Sequence, residues 1–329
     1  MDTLETLTQQ IMDGHQVTRE EALWLSKQPL EHLCRQADRI RRNFCKNTFD
    51  LCTILNGKSG RCSENCKFCA QSAHNHTDAD TYPLLSKEEI LADAKKQAAQ
   101  GVLRYSIVTA GKALSDAEID IMCDTIRQIR QETTLSVCVS FGLLTESQFC
   151  RLKETGVSRV HNNLETSERH FPNICTTHTF ADKVSAIQAA QQAGLTVCSG
   201  GIMGMGETMA DRIDMALALR DLGITSVPVN VLNPIPGTPF GEYPTLSEEE
   251  VLGILALYRF LLPAASIRMA GGRGLLPDGG KSCFLSGANA AITGDMLTTA
   301  GITVQTDLQM LTELGYEVKL DETTDDHRH

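Results

Sequence analysis

The 329-residue chain has neither an excess of basic charge nor a long apolar run. Its formal net charge is −11 at pH 7, whereas a nucleic-acid-binding surface needs a basic patch. No stretch of eighteen apolar residues occurs, and the opening MDTLETLTQQ has no basic region followed by an apolar segment. We therefore expect a soluble cytoplasmic protein without a secretory signal, a nucleic-acid partner or a membrane partner.

The chain also lacks a second pair of closely spaced cysteines. Twelve cysteines without an export signal indicate a metal site or catalysis before disulfides. Three of them, Cys62, Cys66 and Cys69, fall within the polar segment GKSGRCSENCKFCAQSAHN. Structural zinc usually takes four ligands from two CxxC pairs, and the second pair is missing here. Thiolates are the usual ligands of iron–sulfur clusters, and three of them bind a four-iron cube with one iron free.

Segments with strand character alternate with helix-like segments along most of the chain. TFDLCTILNG, LRYSIVTAG, LSVCVSFG, LTVCSGGIMG and SVPVNVLNP are typical of strands, and helical stretches such as SKEEILADAKKQAAQG lie between them. The helix starts carry Ser or Thr caps with Glu or Asp two or three residues on. Eight such strands in about 250 residues predict an α/β fold, a (β/α)8 TIM-type barrel, with an open doubly wound sheet as the alternative. We expect an N-terminal helical extension over 1–45, the barrel over 46–315 and an acidic tail over 316–329.

The alternation of polar and apolar residues along the strands predicts a polar barrel interior. In LSVCVSFG, Cys138 shares a face with two serines, while valines occupy the other face. In RVHNNLE, one face carries Arg159, His161, Asn163 and Glu165. Because helices cover the apolar face, these polar side chains point into a space that branched aliphatic residues normally fill. Such an interior indicates a reaction chamber; an irregular polar core held by hydrogen bonds is the alternative.

The cysteine loop follows the first predicted strand, which places it at the barrel mouth where enzymes of this fold keep their active sites. The spacing CxxxCxxC at Cys62, Cys66 and Cys69, with Phe68 before the last cysteine, resembles the signature of the radical S-adenosylmethionine superfamily. The resemblance implies a 4Fe-4S cluster whose free iron chelates S-adenosyl-L-methionine. An electron from the cluster would then cleave that molecule to methionine and a 5′-deoxyadenosyl radical.

Further segments narrow the resemblance to the biotin synthase family. CSENCKFCAQSAHN, HNNLETS, VCSGGIMGMGET, SVPVNVLNPIPGTP, SIRMAGGR and SGANA occur in that family's order and cover about residues 45–295. The resemblance implies a sulfurtransferase that inserts sulfur between C6 and C9 of dethiobiotin, served by a flavodoxin- or ferredoxin-type electron donor and assembled as a homodimer. The alternatives are a sister barrel, such as a maturase or an amino-acid mutase or lyase, and an iron–sulfur electron carrier.

The same resemblance implies the residues that bind the two small molecules. For S-adenosyl-L-methionine these are Phe68, Thr109, Ala110, Gly111, Asn163, Glu165 and Lys183. For the ureido ring of dethiobiotin they are His161, Asn163 and Asn230, and the asparagines offer both a donor and an acceptor. The expected catalytic residues are Arg268, Asn163 and Asn230. His161 stands where the family usually has an asparagine, which changes the hydrogen-bond pattern toward the substrate. Lys183 stands where the family often has an arginine, which keeps the charge but not the bidentate geometry.

One departure concerns a second, sulfur-donating cluster that the family carries deep in the barrel. Its usual ligands are cysteines on strands two, three and five and an arginine on strand seven, and here Cys138, Cys198 and Arg268 match. Strand two carries Ser106 in place of the cysteine. Strand one offers Cys52 on its inward face, and neighbouring strands lie about 5 Å apart. We therefore expect Cys52, Cys138 and Cys198 to hold an auxiliary cluster, with Arg268 beside it or bound to it.

The sequence does not decide two points about this auxiliary cluster, its type and the thiol that replaces the missing ligand. It is either a four-iron type with one iron open to an extra sulfide or a 2Fe-2S cluster held by three cysteines and Arg268. Cys45, close before the first strand, is the second thiol that could replace the missing ligand of strand two.

Overall fold

Residues 3–320, the part of the chain described by this computed structural model, form a closed parallel barrel. Its strands are β1 Thr48–Lys58, β2 Arg104–Thr109, β3 Ser136–Ser140, β4 Val157–His161, β5 Thr196–Cys198, β6 Gly201–Met203, β7 Ser226–Val231, β8 Ser266–Met269 and β9 Ala290–Ile292. Neighbours pair in parallel in chain order, and β9 pairs back onto β1. Both β5 and β6 pair with β7 and together fill one barrel position. The predicted (β/α)8 barrel is confirmed, and the open sheet is wrong.

Helices surround the barrel. They are α1 Leu4–Met12, α2 Arg19–Leu25, α3 Leu30–Cys45, α4 Lys87–Ala99, α5 Asp116–Glu132, α6 Glu146–Glu154, α7 Phe180–Gln192, α8 Met209–Asp221, α9 Glu248–Leu261, α10 Lys281–Phe284 and α11 Val304–Glu313. Each crossover helix from α4 to α9 begins after a Ser or Thr whose side chain accepts a bond from the third helical N–H. The side chain of that third residue bonds back to the cap, and these capping boxes fix where the helices start.

Alternation along the strands separates an apolar outer layer from a polar interior. On β3, Val137 and Val139 are fully buried in the core, whereas Cys138 lines a cavity inside the barrel. On β7, Val229 packs in the same core and Asn230 faces the cavity. The apolar core on the outer face of the strands therefore holds the barrel together. The interior is left available for polar groups, as the alternation along the strands predicted.

The predicted strand LTVCSGGIMG is interrupted between β5 and β6. Pro228 on the neighbouring β7 has no backbone N–H and cannot donate to the ladder at this level. A Cβ on Gly200 would come within 1.9 Å of the Pro228 carbonyl oxygen, so a larger residue does not fit. The Gly200 N–H instead donates to Asn163 Oδ1 at 3.1 Å. The interruption thereby ties Asn163 to the barrel wall.

The first and last elements of the described residues pack on the outside of the barrel. Helix α2 contacts α8 and α9, α3 contacts α9, and α1 packs on α3. Tyr316 is buried, and a further strand β10, Glu317–Val318, pairs with β1. The rest of the predicted acidic tail, 321–329, lies outside the described residues, and the division into extension, barrel and tail stays a prediction. Across residues 3–320, no helix combines the length and apolar character needed to span a bilayer.

Candidate active site inside the barrel

A cavity of about 350 Å³ runs from the cysteine loop at the mouth into the barrel. The predicted site residues that line it are Cys52, Phe68, Cys69, Cys138, His161, Asn163, Glu165, Cys198, Asn230 and Arg268. The predicted site residues that do not line it are Cys62, Cys66, Thr109, Ala110, Gly111 and Lys183. One chamber thus joins the predicted cofactor loop to the polar interior, which is the arrangement expected of an enzyme with this fold.

The cysteine loop between β1 and α4 is folded tightly by its own backbone. The Cys62 N–H donates to the Gln71 carbonyl at 3.0 Å, and the Cys69 N–H donates to the Cys66 carbonyl at 3.1 Å. Asn75 Nδ2 donates to the carbonyls of Cys66 and Cys69 at 3.2 and 2.8 Å. Cys69 lies close enough to Cys62, and Cys66 to Cys69, for the charges of their thiolates to interact. The loop therefore gathers three thiols.

These three thiols fit a 4Fe-4S cluster by number and chemistry. Three thiolates leave one iron of the cube without a protein ligand. Burial raises the pKa of Cys69 to about 11, and a hydrogen bond with Cys175 together with burial raises the pKa of Cys66. The Cys66 and Cys69 thiols are consequently protonated in the metal-free chain, and cluster binding must displace those protons.

The segment after β4 carries the carboxylate and amide predicted to bind S-adenosyl-L-methionine. Asn163 Nδ2 donates to Glu165 Oε2 at 3.3 Å. Glu165 has a φ of 70°, and its backbone bonds to Gly200 and Ile202 across the interruption between β5 and β6. Burial raises the pKa of the Glu165 carboxyl, while Lys183 opposes that rise. An acceptor held so firmly at a cavity wall suits a hydroxyl or amino group of a ligand.

The remaining residues predicted for that ligand lie around the mouth. Thr109 is the last residue of β2, and the Ala110 N–H donates to the Lys58 carbonyl at 2.8 Å. Gly111 follows with a φ of 126°, a conformation that favours glycine. Lys183 lies in the first turn of α7, and its Nζ donates to an asparagine oxygen at 3.3 Å. These residues form a rim beside the chamber and do not contribute to its lining.

Asn230 on β7 is fixed by two backbone groups. Its Nδ2 donates to the Gly201 carbonyl at 3.1 Å, and its Oδ1 accepts from the Gly271 N–H at 2.9 Å. An amide has two donor hydrogens and two acceptor lone pairs, so one donor and one acceptor remain for a ligand. His161 interacts with Cys198 and lies near Glu165. Asn230 is therefore positioned for a cyclic urea, and His161 lies between the deeper cysteines and the mouth.

The barrel pairings place four predicted ligands in one interior layer: Cys52, Cys138, Cys198 and Arg268. In an eight-stranded barrel of this kind, residues from alternate strands share a layer, because each strand is staggered by one residue relative to the next. Cys52 pairs with Arg104 and Arg104 with Ser136, two residues before Cys138. Following two strand pairings and then advancing two residues also leads from Cys138 to Cys198, from Cys198 to Arg268, and from Arg268 back to Cys52. The four residues therefore form one complete ring around the barrel interior.

Ser106 and Cys45 both lie outside this layer. Ser106 on β2 belongs to the alternate set of strands, and it pairs with Ile54 and Cys138. Cys52 thus reaches the chamber from the neighbouring strand without occupying the level of Ser106. Cys45 ends α3, and its Sγ accepts from Arg259 Nη1 at 3.3 Å, away from the cavity. Of the two replacement thiols weighed from the sequence, the structure places Cys52 in the chamber.

The thiols of the layer differ in acidity. Burial raises the pKa of Cys52 to about 12 and that of Cys138 to about 11. Burial acts in the same direction on Cys198, but a hydrogen bond from His161, the charge of that histidine and two nearby arginines outweigh it and lower the pKa to about 6. Cys138 lies close enough to both other thiols for their charges to interact. Three close, buried thiols beside cations fit an iron–sulfur cluster.

Below the layer lies a buried charge cluster whose partners the sequence did not reveal. Asp50 Oδ2 accepts from Arg104 Nε at 3.3 Å, from Arg159 Nη1 at 3.3 Å and from Arg268 Nη2 at 2.8 Å. Although burial raises the pKa of Asp50, the three arginines hold it well below its usual range. The positive charges of these arginines act to lower the pKa values of the cysteines above them, which favours thiolates there. Strand parity indicated the inward position of Arg159, but no sequence pattern indicates its partner.

A second group that the sequence did not single out lies against Cys66. Cys175 Sγ is 3.8 Å from Cys66 Sγ and 3.4 Å from His178 Nδ1. His178 Nδ1 is also 2.7 Å from Glu64 Oε2. The segment ICTTH shows a thiol and an imidazole three residues apart, but Glu64 lies 114 residues from His178 and only the fold relates them.

Comparison with known proteins agrees with this geometry. A family model described as Radical SAM superfamily matches residues 56–219, and one described as Biotin and Thiamin Synthesis associated domain matches residues 228–317. Biotin synthase of Brachyspira hyodysenteriae is 58% identical over 320 residues, which cover 97% of this chain and 96% of that protein. Biotin synthase of Akkermansia muciniphila is 55% identical over 320 residues, with 97% and 100% covered.

Solved structures show the same fold at low identity. Methylornithine synthase superposes with a TM-score of 0.83 at 19% identity and covers 95% of this chain and 97% of its own. The [FeFe]-hydrogenase maturase HydG superposes with a TM-score of 0.82 at 18% identity, with 94% and 74% covered. At these identities the likeness shows the barrel fold alone.

A (β/α)8 barrel with a three-cysteine loop at its mouth and a match to the Radical SAM model defines a radical S-adenosylmethionine enzyme, with a 4Fe-4S cluster and S-adenosyl-L-methionine as cofactors. The chain belongs to the biotin synthase family, since its relatives are 58% and 55% identical over nearly their whole length. Its reaction is sulfur insertion into dethiobiotin to form biotin, with electrons from a reducing partner. The sister-barrel and electron-carrier alternatives are thereby excluded.

Proposed function

We propose that Cys52, Cys138 and Cys198 hold the auxiliary iron–sulfur cluster that supplies sulfur for biotin formation, with Arg268 beside it. The closure of the barrel register carries this proposal, because it puts the three thiols and Arg268 in one layer that faces the cavity. Such a cluster supplies sulfide when bound. With Cys52 included, the set of three thiols is complete without a cysteine at Ser106.

The contacts of Arg268 favour the four-iron type over a two-iron cluster. Arg268 Nη1 donates to the carbonyls of Asp50 and Ala291, both at 3.0 Å, and Nη2 donates to Asp50 Oδ2 at 2.8 Å. A guanidinium bonded to a carboxylate stays protonated and has no lone pair for iron. Three thiolates without a fourth protein ligand suit a four-iron cluster whose open iron carries an extra sulfide. Arg268 then acts as a charge and hydrogen-bond partner.

The proposed S-adenosyl-L-methionine site lies at the mouth, where Cys62, Cys66 and Cys69 hold the 4Fe-4S cluster. Phe68 and Glu165 line the cavity there, and Glu165 is near enough to Cys69 for their charges to interact. A ligand chelated at the open iron therefore meets a buried carboxylate. Asn163, which lines the cavity, is proposed to complete the site together with the rim residues Thr109, Ala110, Gly111 and Lys183.

Dethiobiotin is proposed to bind between the mouth and the deeper cysteine layer. Asn230 keeps one donor and one acceptor for the ureido ring, and Asn163 and His161 line the same chamber. A substrate held there has the radical source on one side and the sulfur source on the other, so both reach it without moving it. Asn163, Asn230 and Arg268 are the proposed catalytic residues.

The family resemblance supports three further proposals about the working protein. Its electron donor is of the flavodoxin or ferredoxin type. The protein acts as a homodimer. It works in the cytoplasm.

A single-turnover assay separates the roles of the two clusters. Reduced, anaerobic Cys52→Ala should still cleave S-adenosyl-L-methionine, because the mouth loop is intact, but it should form less than about a tenth of the wild-type biotin. Ser106→Ala, a matched change on the neighbouring strand, should form biotin at the wild-type level. Wild-type biotin yield from Cys52→Ala refutes the assignment of Cys52.

A further inference from the structure

The segment between β4 and α7 places a further thiol directly against Cys66 of the mouth loop. The two sulfur atoms, Cys175 Sγ and Cys66 Sγ, are in contact at 3.8 Å without being bonded. Cys175 is 3% exposed, whereas Cys66 is half-buried. The proposed binding of S-adenosyl-L-methionine and the proposed auxiliary cluster both leave Cys175 unused, so the reaction does not explain this contact.

The backbones on either side of the contact are joined by a hydrogen bond. The N–H of Lys67, in the peptide group that follows Cys66, donates at 2.9 Å to the carbonyl of Ile174, in the peptide group that precedes Cys175. A disulfide needs two Cα atoms about 4.4–6.8 Å apart and side chains that point toward each other. The bonded peptide groups bring the two Cα atoms close together, and the sulfur contact shows that the side chains point toward each other. Side-chain rotation is therefore sufficient to bond the two sulfurs.

Contacts that involve no sulfur hold the segment against the mouth loop. Asn65 Oδ1 accepts from the Thr176 N–H at 2.9 Å, and His178 Nδ1 lies 2.7 Å from Glu64 Oε2. The two thiols also pack in one small apolar cluster. Because these contacts do not depend on iron, the two thiols stay together when the mouth cluster is lost.

The chemistry of an unprotected cluster ligand gives this neighbour a use. A cysteine released from iron leaves as a thiolate, which is the form that a peroxide oxidises to a sulfenic acid. Further oxidation gives a sulfinic acid, which thiols do not reduce. A second thiol that condenses with the sulfenic acid first forms a disulfide, and a disulfide is reversible. Cys175 is a second thiol already in contact with Cys66.

We propose that Cys175 is the resolving thiol of Cys66, so that oxidation by hydrogen peroxide ends in a Cys66–Cys175 disulfide. In the first step the O–O bond breaks, the Cys66 thiolate takes one oxygen and becomes a sulfenic acid, and hydroxide leaves. In the second step the Cys175 thiol attacks the Cys66 sulfur, the S–S bond forms and water leaves. The two sulfurs together lose two electrons to the peroxide, and a dithiol returns them. The release of Cys66 as a thiolate rests on the proposed function, in which Cys66 is a ligand of the mouth cluster.

Peptide mapping of the peroxide-treated holoenzyme tests this pairing. After a limiting dose of hydrogen peroxide and alkylation of free thiols, mass spectrometry should show Cys66–Cys175 as the most abundant disulfide of Cys66, and dithiothreitol should restore both thiols. Cys175→Ser keeps a small polar side chain but cannot form a disulfide. This variant should contain about tenfold more Cys66 as sulfinic or sulfonic acid than the wild type. Cys283→Ala, which removes a buried cysteine on α10, should behave as the wild type does.

Two results would overturn the proposal. One is a wild-type protein in which Cys66 pairs more with Cys62 or Cys69 than with Cys175. The other is an equal fraction of Cys66 as sulfinic or sulfonic acid in the wild type and in Cys175→Ser. The first result needs no variant, so the pairing can be refuted even where the serine substitution unfolds the chain.

The 4Fe-4S absorption of the same samples separates this proposal from the proposed function. The Cys66–Cys175 disulfide should appear only as that absorption is lost, because one sulfur cannot bind iron and form the disulfide at once. A disulfide in protein that keeps its full 4Fe-4S absorption would contradict the assignment of Cys66 to the cluster while supporting the pairing of the two cysteines. Before peroxide treatment, Cys175→Ser should cleave S-adenosyl-L-methionine as the wild type does.

Discussion

At the scale of single residues, the proposed function assigns a cluster ligand to a strand next to the one that carries it in the family. Ser106 stands on β2 where the resemblance calls for cysteine, and Cys52 on β1 provides a thiol in the same chamber. Strand alternation predicted the inward position of Cys52. It could not predict that Cys52 shares a layer with Cys138 and Cys198, because the stagger between strands leaves no period in the sequence.

The mouth loop gives the first prediction at this scale. Cys69→Ala should abolish formation of 5′-deoxyadenosine from S-adenosyl-L-methionine, because the cluster loses one of its three thiolates and the open iron with it. Chromatographic measurement of 5′-deoxyadenosine in the reduced protein checks this. Cys150→Ala on α6 is the matched control and should retain wild-type formation. Wild-type yield from Cys69→Ala contradicts the assignment.

Asn230 gives the second prediction. Asn230→Ala should weaken dethiobiotin binding by about 10- to 100-fold, because a buried ureido group left unpaired costs about 1–3 kcal/mol. Equilibrium binding of dethiobiotin to the anaerobic protein measures the change. The substitution also removes bonds to Gly201 and Gly271, so the melting temperature is recorded alongside. A folded Asn230→Ala protein with unchanged affinity shows that Asn230 does not hold the substrate.

At the scale of elements, local sequence signals decided where helices start but not where one strand stops. Ser or Thr caps with an acidic or amide residue three positions on marked the helices from α4 to α9. The break between β5 and β6 was missed, because it arises from Pro228 on another strand. Gly200 looked like one of several glycines in a turn, and only its approach to Pro228 explains it.

The cap of α8 gives the third prediction. Asp211 accepts from the Thr208 N–H at 2.8 Å and from Ser167 Oγ at 2.7 Å. Burial raises its pKa, but these hydrogen bonds outweigh burial and lower it from 3.8 to about 2. A carboxyl with a lowered pKa stabilises the fold above the unfolded value, and this contribution is lost as the pH falls from about 3.8 to about 2. Asp211→Asn should cost about 2 kcal/mol of unfolding free energy at pH 7.

Denaturation of the cluster-free chain at several pH values measures this cost. The difference between wild type and Asp211→Asn should shrink below about pH 4, where the wild-type carboxyl begins to gain its proton. Asp182, the exposed residue at the equivalent cap position of α7, is the matched control, and Asp182→Asn should cost clearly less. A difference that stays constant down to pH 3 contradicts the role of the Asp211 charge.

At the scale of the whole molecule, closure of the barrel produces contacts that no local pattern contains. Asp50 bonds to arginines 54, 109 and 218 residues away, on β2, β4 and β8. The sequence predicted the fold class, the family and the mouth loop, since these rest on periodicity and on residues close together in the chain. It did not predict the charge cluster at Asp50 or the contact between Cys175 and Cys66, because both depend on distant strands and loops meeting.

The charge cluster gives the fourth prediction. Asp50→Asn should destabilise the fold by about 3–5 kcal/mol, because three buried guanidiniums would lose the carboxylate that they share. Thermal and denaturant unfolding measure the loss. Asp214→Asn, which removes a surface pair with Arg19, should leave stability nearly unchanged. Equal effects of the two substitutions would show that the buried cluster contributes little.

The central claim is that the interior layer of Cys52, Cys138 and Cys198 holds the sulfur-donating cluster. Mössbauer spectroscopy, with iron and sulfide counted per chain, tests it on reconstituted wild type, Cys52→Ala and Ser106→Ala. The wild type and Ser106→Ala should contain two four-iron clusters, with sulfide in excess of iron, whereas Cys52→Ala should keep only the cluster of the mouth loop. A Cys52→Ala protein with the full wild-type complement of iron and sulfide would contradict the claim.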